Sequence, residues 1–120
     1  MKKVLSAMLL IFAINIQATI DCPSIEVIKS ARVTDAKIEE SYFGPVWAAS
    51  SKGQYGSKMW DLTVPLAEHV NNKEEAIEIG NKVISLINQS LGQMSDKNGV
   101  HCSYACENSN SMVILTISHS

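Results

Sequence analysis

The side chains in this 120-residue chain with chemistry to offer are three cysteines, Cys22, Cys102 and Cys106, and three histidines, His69, His101 and His119. Cysteines pair as disulfides or ligate soft metals, and histidine moves protons near neutral pH. Cys102 and Cys106 stand four positions apart in HCSYAC. On an extended strand that spacing separates them by about 13 Å, at about 3.3 Å per residue, beyond the reach of a disulfide. Cys22 is therefore expected to bond one of the two, with Cys102 the preferred partner. Cys106 is then the free thiol candidate: a buried small hydrophobe, a labile thiol, or the link in a dimer. A bridge from Cys22 closes a loop of roughly 80 residues, which on the chain-entropy model contributes about 4 kcal/mol.

Other chemistry finds less support. His101 beside a C-x3-C pair lacks zinc spacing and has no second pair, so no metal site is expected. The chain has no G-x-S-x-G, no H-E-x-x-H and no glycine-rich phosphate loop, and none of the three histidines sits in a recognisable catalytic motif. Asp61, next to Trp60, reads as a solvent-facing strand residue. A non-enzymatic protein is expected.

The N-terminus reads as an address. Lys2 and Lys3 precede the apolar run VLSAMLLIFAI, too short to span a bilayer, and Ile16-Gln17-Ala18 offers a small residue for cleavage. Residues 1–18 are expected to be a signal peptide and residues 19–120 one small domain, periplasmic or secreted from a bacterium, with no membrane insertion after cleavage. Cleavage leaves eight Lys and Arg against twelve Asp and Glu. That mildly acidic balance carries no basic stripe for nucleic acid. A small exported domain of this kind commonly adds a disulfide to a modest core.

The elements that must position these residues follow from periodicity. Asn72 to Leu91 reads as one long amphipathic helix, with Ala76, Ile77, Gly80, Val83, Ile84, Ile87 and Leu91 on one side, Asn72 as cap, Glu75 completing a capping box and Gly92 as stop. Gly80 implies close approach of the helix to a sheet. A short N-terminal helix is expected at Ile25 to Ile28, with Pro23 in its first turn, and a strand within Ala31 to Glu40. Val46–Ser50 and Met59–Val64 read as a hairpin with a longer loop, 51–57, between them. Gln93 to Gly99 reads as a polar connection, and Val100–Cys106 with Met112–Ser118 as a second hairpin. The fold class is α+β: an antiparallel sheet of about four to five strands, covered on one face by one long helix, plus a short N-terminal helix. Trp60, Leu62, Val64, Tyr104, Val113, Leu115 and Ile117 are its apolar face.

Cys22-Pro23-Ser24 behind a signal, the Trp47-Ala48 segment, a glycine-containing loop leading to Trp60, a polar-capped helix, then Cys102-x-Tyr104 and an apolar last strand form a pattern over nearly all of the mature chain. It resembles the small exported proteins of unknown function found mainly in Legionella and related intracellular bacteria. Cys106 lies outside that pattern. Some of those proteins are labelled hemin-binding, so the resemblance implies a haem or host-facing role. A haem site needs an axial ligand in an apolar slot, for which His101, His69, Met59 and Tyr104 are the candidates. A binding module instead needs an exposed aromatic patch, for which Tyr42, Phe43 and Tyr55 in the loops are the candidates. The expected function is an exported, non-enzymatic binding or interaction protein for an unknown protein or small ligand. It would be a monomer or a Cys106-linked dimer, with no obligatory cofactor. A haem-binding protein and a small hydrolase are the alternatives.

Overall fold

The computed structural model describes residues 21–42, 44–107 and 109–118. The expected signal at 1–18, together with Phe43 and His119, lies outside them. The element order is α1 (Ile25–Lys29), β1 (Asp35–Ser41), β2 (Gly44–Tyr55), β3 (Lys58–Pro65), α2 (Lys73–Leu86), β4 (Gln89–Asp96), β5 (Gly99–Ala105) and β6 (Met112–Ser118). The strands form one antiparallel sheet in the order β1-β2-β3-β6-β5-β4. The fold class is α+β as expected, but the sheet has six strands rather than four to five.

One expected hairpin is longer, and one strand is added. β2 and β3 stay paired out to Tyr55 and Lys58, so their loop is only Gly56 and Ser57, and the stretch 51–55 expected in a loop is strand. The extra strand is β4. The helix expected to run to Leu91 stops at Leu86, 14 residues long, and the chain turns extended at Ile87. Asn88 sets the new direction: its N–H donates to the Ala105 carbonyl (3.0 Å) and its Oδ1 accepts from the Glu107 N–H (2.9 Å). Gly92 is not a helix stop. It lies at a bulge in the β4–β5 pairing with φ +95°, a conformation that side chains with a Cβ rarely adopt. The first strand begins at Asp35, later than Ala31, and α1 is capped by Ser24, with Pro23 just outside it.

One face of the sheet is covered and one is open. Trp60, Leu62, Val64, Val100, Cys102, Tyr104, Val113 and Leu115 point to the covered face and are buried. α2 packs chiefly over β1, β2 and β3. It buries Ala76, Gly80, Val83 and Ile84, while its start is held by Asn72, whose Oδ1 accepts from the Glu75 N–H at 2.8 Å. Glu75 does not return the bond expected of a capping box; its carboxylate accepts from Asn71. Gly80 does make the close approach: a Cβ there would lie 2.6 Å from the Ala49 Cβ and 3.0 Å from Val33 Cγ2. Asn81, one residue on, clamps the 31–34 segment by accepting from the Val33 N–H (2.8 Å) and donating to its carbonyl (3.3 Å).

The start of the described chain is fastened over β5. Cys22 and Cys102 form the disulfide, with Cα atoms 5.7 Å apart and a sequence separation of 80. Two residues along β5, the Tyr104 hydroxyl donates to the Pro23 carbonyl. Cys106 is the free cysteine; it is buried, and its thiol points to the Val83 carbonyl at 3.8 Å. Burial pushes that thiol above its ordinary pKa, which lowers its thiolate fraction and its reactivity.

Candidate functional site

The covered face is apolar farther along β1 and β2 than its neighbours reach. Ala36 pairs with Ala49, and both are buried; two residues on, Ile38 pairs with Trp47 on the same face. Ile38 is nevertheless 58% exposed and Trp47 is only partly buried. Between this pair and the 66–70 segment that leads to α2 lies an open groove of about 290 Å³, also lined by Pro45, Val46 and His69. That volume is at the small end of ligand sites, which run from about 300 to 1,000 Å³. The groove is well made from below. The Leu66 N–H donates to the Trp47 carbonyl at 2.9 Å, extending the ladder past Pro65, while Leu66 and Val70 anchor the segment in the core. An apolar group of modest size can seat there against the indole and Ile38, with the His69 imidazole at the rim. His69 is exposed, and its Nε2 lies 3.0 Å from Asn71 Oδ1.

The four haem-ligand candidates do not meet. His69 lines the groove. His101 faces the open side of the sheet, Met59 is exposed at 56%, and Tyr104 is wholly buried with its hydroxyl bonded to Pro23. Removal from water pushes the Tyr104 phenol up to about 12, so it stays protonated across the neutral range. The folded state therefore prefers the neutral phenol, and the associated stability is complete below the ordinary value of 10.0 and is lost as pH rises toward 12. Replacing Tyr104 with Phe is expected to flatten the fall in thermal midpoint between about pH 10 and 12, measured by circular dichroism against the parent protein.

Of the surface aromatics, Tyr42 is 96% exposed at the tip of the β1–β2 turn. Tyr55 is not in a loop: it ends β2, its ring lies over Gly53 and its hydroxyl is 3.3 Å from Ser51 Oγ. The Tyr55 carbonyl accepts from the Trp60 indole N–H at 3.2 Å. No single patch joins Tyr42 and Tyr55, and the groove aromatic is Trp47.

The open face holds a second arrangement that the sequence spacing conceals. Strand registers align Met94, His101, Thr116, Asp61 and Lys52 in one row across the sheet. His101 Nδ1 is 3.0 Å from Thr116 Oγ1, and Nε2 is 3.3 Å from Asp96 Oδ1. The Asn98 N–H, and after it the His101 ring, hold the Asp96 carboxyl below its ordinary pKa. With Nε2–H donating to Asp96 and the hydroxyl donating to Nδ1, this is the order of an activated nucleophile. Acyl transfer also needs donors aimed at an oxyanion. Thr116 sits in a strand paired on both sides, where neighbouring N–H groups serve the ladder. Among the described residues, no group of three or more His, Cys, Asp or Glu side chains is placed to hold a metal, and no helix is long and apolar enough to cross a membrane.

Comparison of the chain with protein-family models, with curated proteins and with solved structures finds no match.

Proposed function

We propose that this is an exported, non-enzymatic binding protein, stapled by Cys22–Cys102, that receives an apolar group of its ligand in the groove at Ile38 and Trp47. The observation that carries the reading is the pair itself. Two large apolar side chains face each other across β1 and β2, on the face that is buried at the neighbouring pair Ala36 and Ala49, and here they line an open groove. Burying such a side chain is worth about 1.5–3 kcal/mol, so leaving Ile38 in water costs stability that a ligand would recover. Export rests on the signal-like residues 1–18, and the disulfide is consistent with an oxidising compartment.

Haem is the second reading, supported by the resemblance noted above and by one feature of the groove: His69, an axial-ligand candidate, lines it together with Trp47 and Ile38. His69 would hold the iron of a haem bound there, and Ile38 and Trp47 would offer it apolar contact.

Titration with the fluorescent probe 1-anilinonaphthalene-8-sulfonate tests the groove. The parent protein is expected to bind it, and Trp47→Ala to weaken binding about tenfold, the equivalent of 1.4 kcal/mol. Equal affinity in the two, with the fold intact by circular dichroism, would place binding elsewhere. Hemin addition separates the two readings: a Soret shift removed by His69→Ala supports haem, and the absence of a shift sinks haem while leaving the apolar groove standing.

A further inference from the structure

The two edges of the sheet, β1 and β4, are built differently. β1 carries Asp35, Lys37, Glu39 and Glu40 within seven residues, the kind of charge that keeps an edge from pairing with another chain. β4 reads QSLGQMSD, with no charge before Asp96 and no proline. All eight of its residues are exposed, including Leu91 at 55% and Met94 at 68%. Among the described residues β4 pairs with a strand on one side only, β5. An extended, uncharged edge of this kind adds another strand through main-chain hydrogen bonds, and its side chains select which strand.

We infer that β4 pairs antiparallel with β4 of a second copy of this chain, about a twofold axis at Gln93, joining two sheets into one. The axis sets each residue opposite another in a pattern that follows from the sequence. Gln93 meets Gln93 of the second copy, and a carboxamide is both donor and acceptor, so the two can bond each other. Met94 meets Gly92, where there is no side chain to obstruct it, and the two share the open face of the sheet: they pair with His101 and Ser103, which point outward on β5. Leu91 meets Ser95, Ser90 meets Asp96, and Gln89 meets Lys97, so no two like charges face each other. The bulge between Ser90 and Gly92 interrupts the outer ladder, which keeps the contact small. Interfaces below about 1,200 Å² belong to transient complexes, so the dimer exchanges with monomer in a concentration-dependent equilibrium.

Sedimentation equilibrium over a concentration series, with non-reducing electrophoresis alongside, is the test. The parent protein is expected to shift from one to two chain masses with no covalent dimer. Gln93→Lys and Gln93→Glu, each alone, place like charges on the axis and are expected to raise the dissociation constant about tenfold or more. An equal mixture of the two places Lys opposite Glu and is expected to restore the dimer. A parent protein that stays monomeric throughout overturns the inference, whether its edge takes a strand from another protein or none. So does a dimer linked through Cys106, a dimer indifferent to both substitutions, or a mixture that stays monomeric.

Discussion

Cys22→Ala is expected to lower the free energy of unfolding by about 4 kcal/mol, the loop-closure entropy that a bridge of this span removes from the unfolded chain. The separation of 80 residues sets that size. Cys22 is the better site to change because it is only partly buried, whereas Cys102 is wholly buried. The variant thus reports the crosslink with little added cavity cost. Domains of this size have a net stability of about 5–15 kcal/mol, so the loss is a large share of the whole. With a urea slope of about 1–3 kcal/mol/M, the midpoint should fall by about 1.3 M or more, and reduction of the parent protein should reproduce the fall. A shift under about 0.3 M would mean that packing of Ile28 and the Tyr104–Pro23 bond hold the N-terminal segment without the bridge.

Gly80→Ala is expected to destabilise by about 2 kcal/mol, against the roughly 1 kcal/mol gain that alanine brings to an ordinary helix interior. The sign rests on what the new methyl meets. Ala49 Cβ would stand 2.6 Å away, and it is fixed to the backbone of β2, so no rotamer change relieves the contact and α2 must lift from the sheet. Thermal or urea unfolding of Gly80→Ala, Ala49→Gly and the double variant forms a cycle. The double variant should recover most of the loss, since removing the Ala49 methyl opens the space. Additive losses would show that helix and sheet are not in contact at this point.

The contrast between what could and could not be read from the residues follows how far each signal reaches. The start of α2 was legible because Asn72 and Glu75 are three apart and their bond is local. Its end was not, because Ile87 and Leu91 continue the helical spacing while the decision is made by Asn88 bonding Ala105, far along the chain. Gly92 reads as a helix stop because such stops use a glycine's positive φ, but the bulge in β4 uses the same freedom. Spacing alone made Cys22 one end of the bridge, but the choice of Cys102 over Cys106 is made by the fold, which turns Cys106 toward Val83 of α2. The groove was not legible: Ile38 and Trp47 face each other only through the β1–β2 register, and the 66–70 wall comes from the end of β3. The Asp96–His101–Thr116 row was hidden for the same reason, because its hydroxyl comes from a different strand.

The strand order has a consequence for how the molecule comes apart. β1-β2-β3 and β4-β5-β6 are two meanders, each closed by turns between sequence neighbours, and they meet third strand to third strand. Their seam is the pairing of Asp61, Leu62 and Thr63 with Thr116, Leu115 and Ile114. Within either meander folding needs only short loops; among the strand pairings the seam alone joins distant parts of the chain, so it is the natural slow step and the natural boundary between two cooperative units in amide exchange. The disulfide crosses that boundary, tying the segment ahead of the first meander to the middle strand of the second. While it is closed, the halves can part but not separate. Once it is reduced, one molecule's first meander is free to complete another's second, which makes exchange of halves the characteristic failure of the reduced chain.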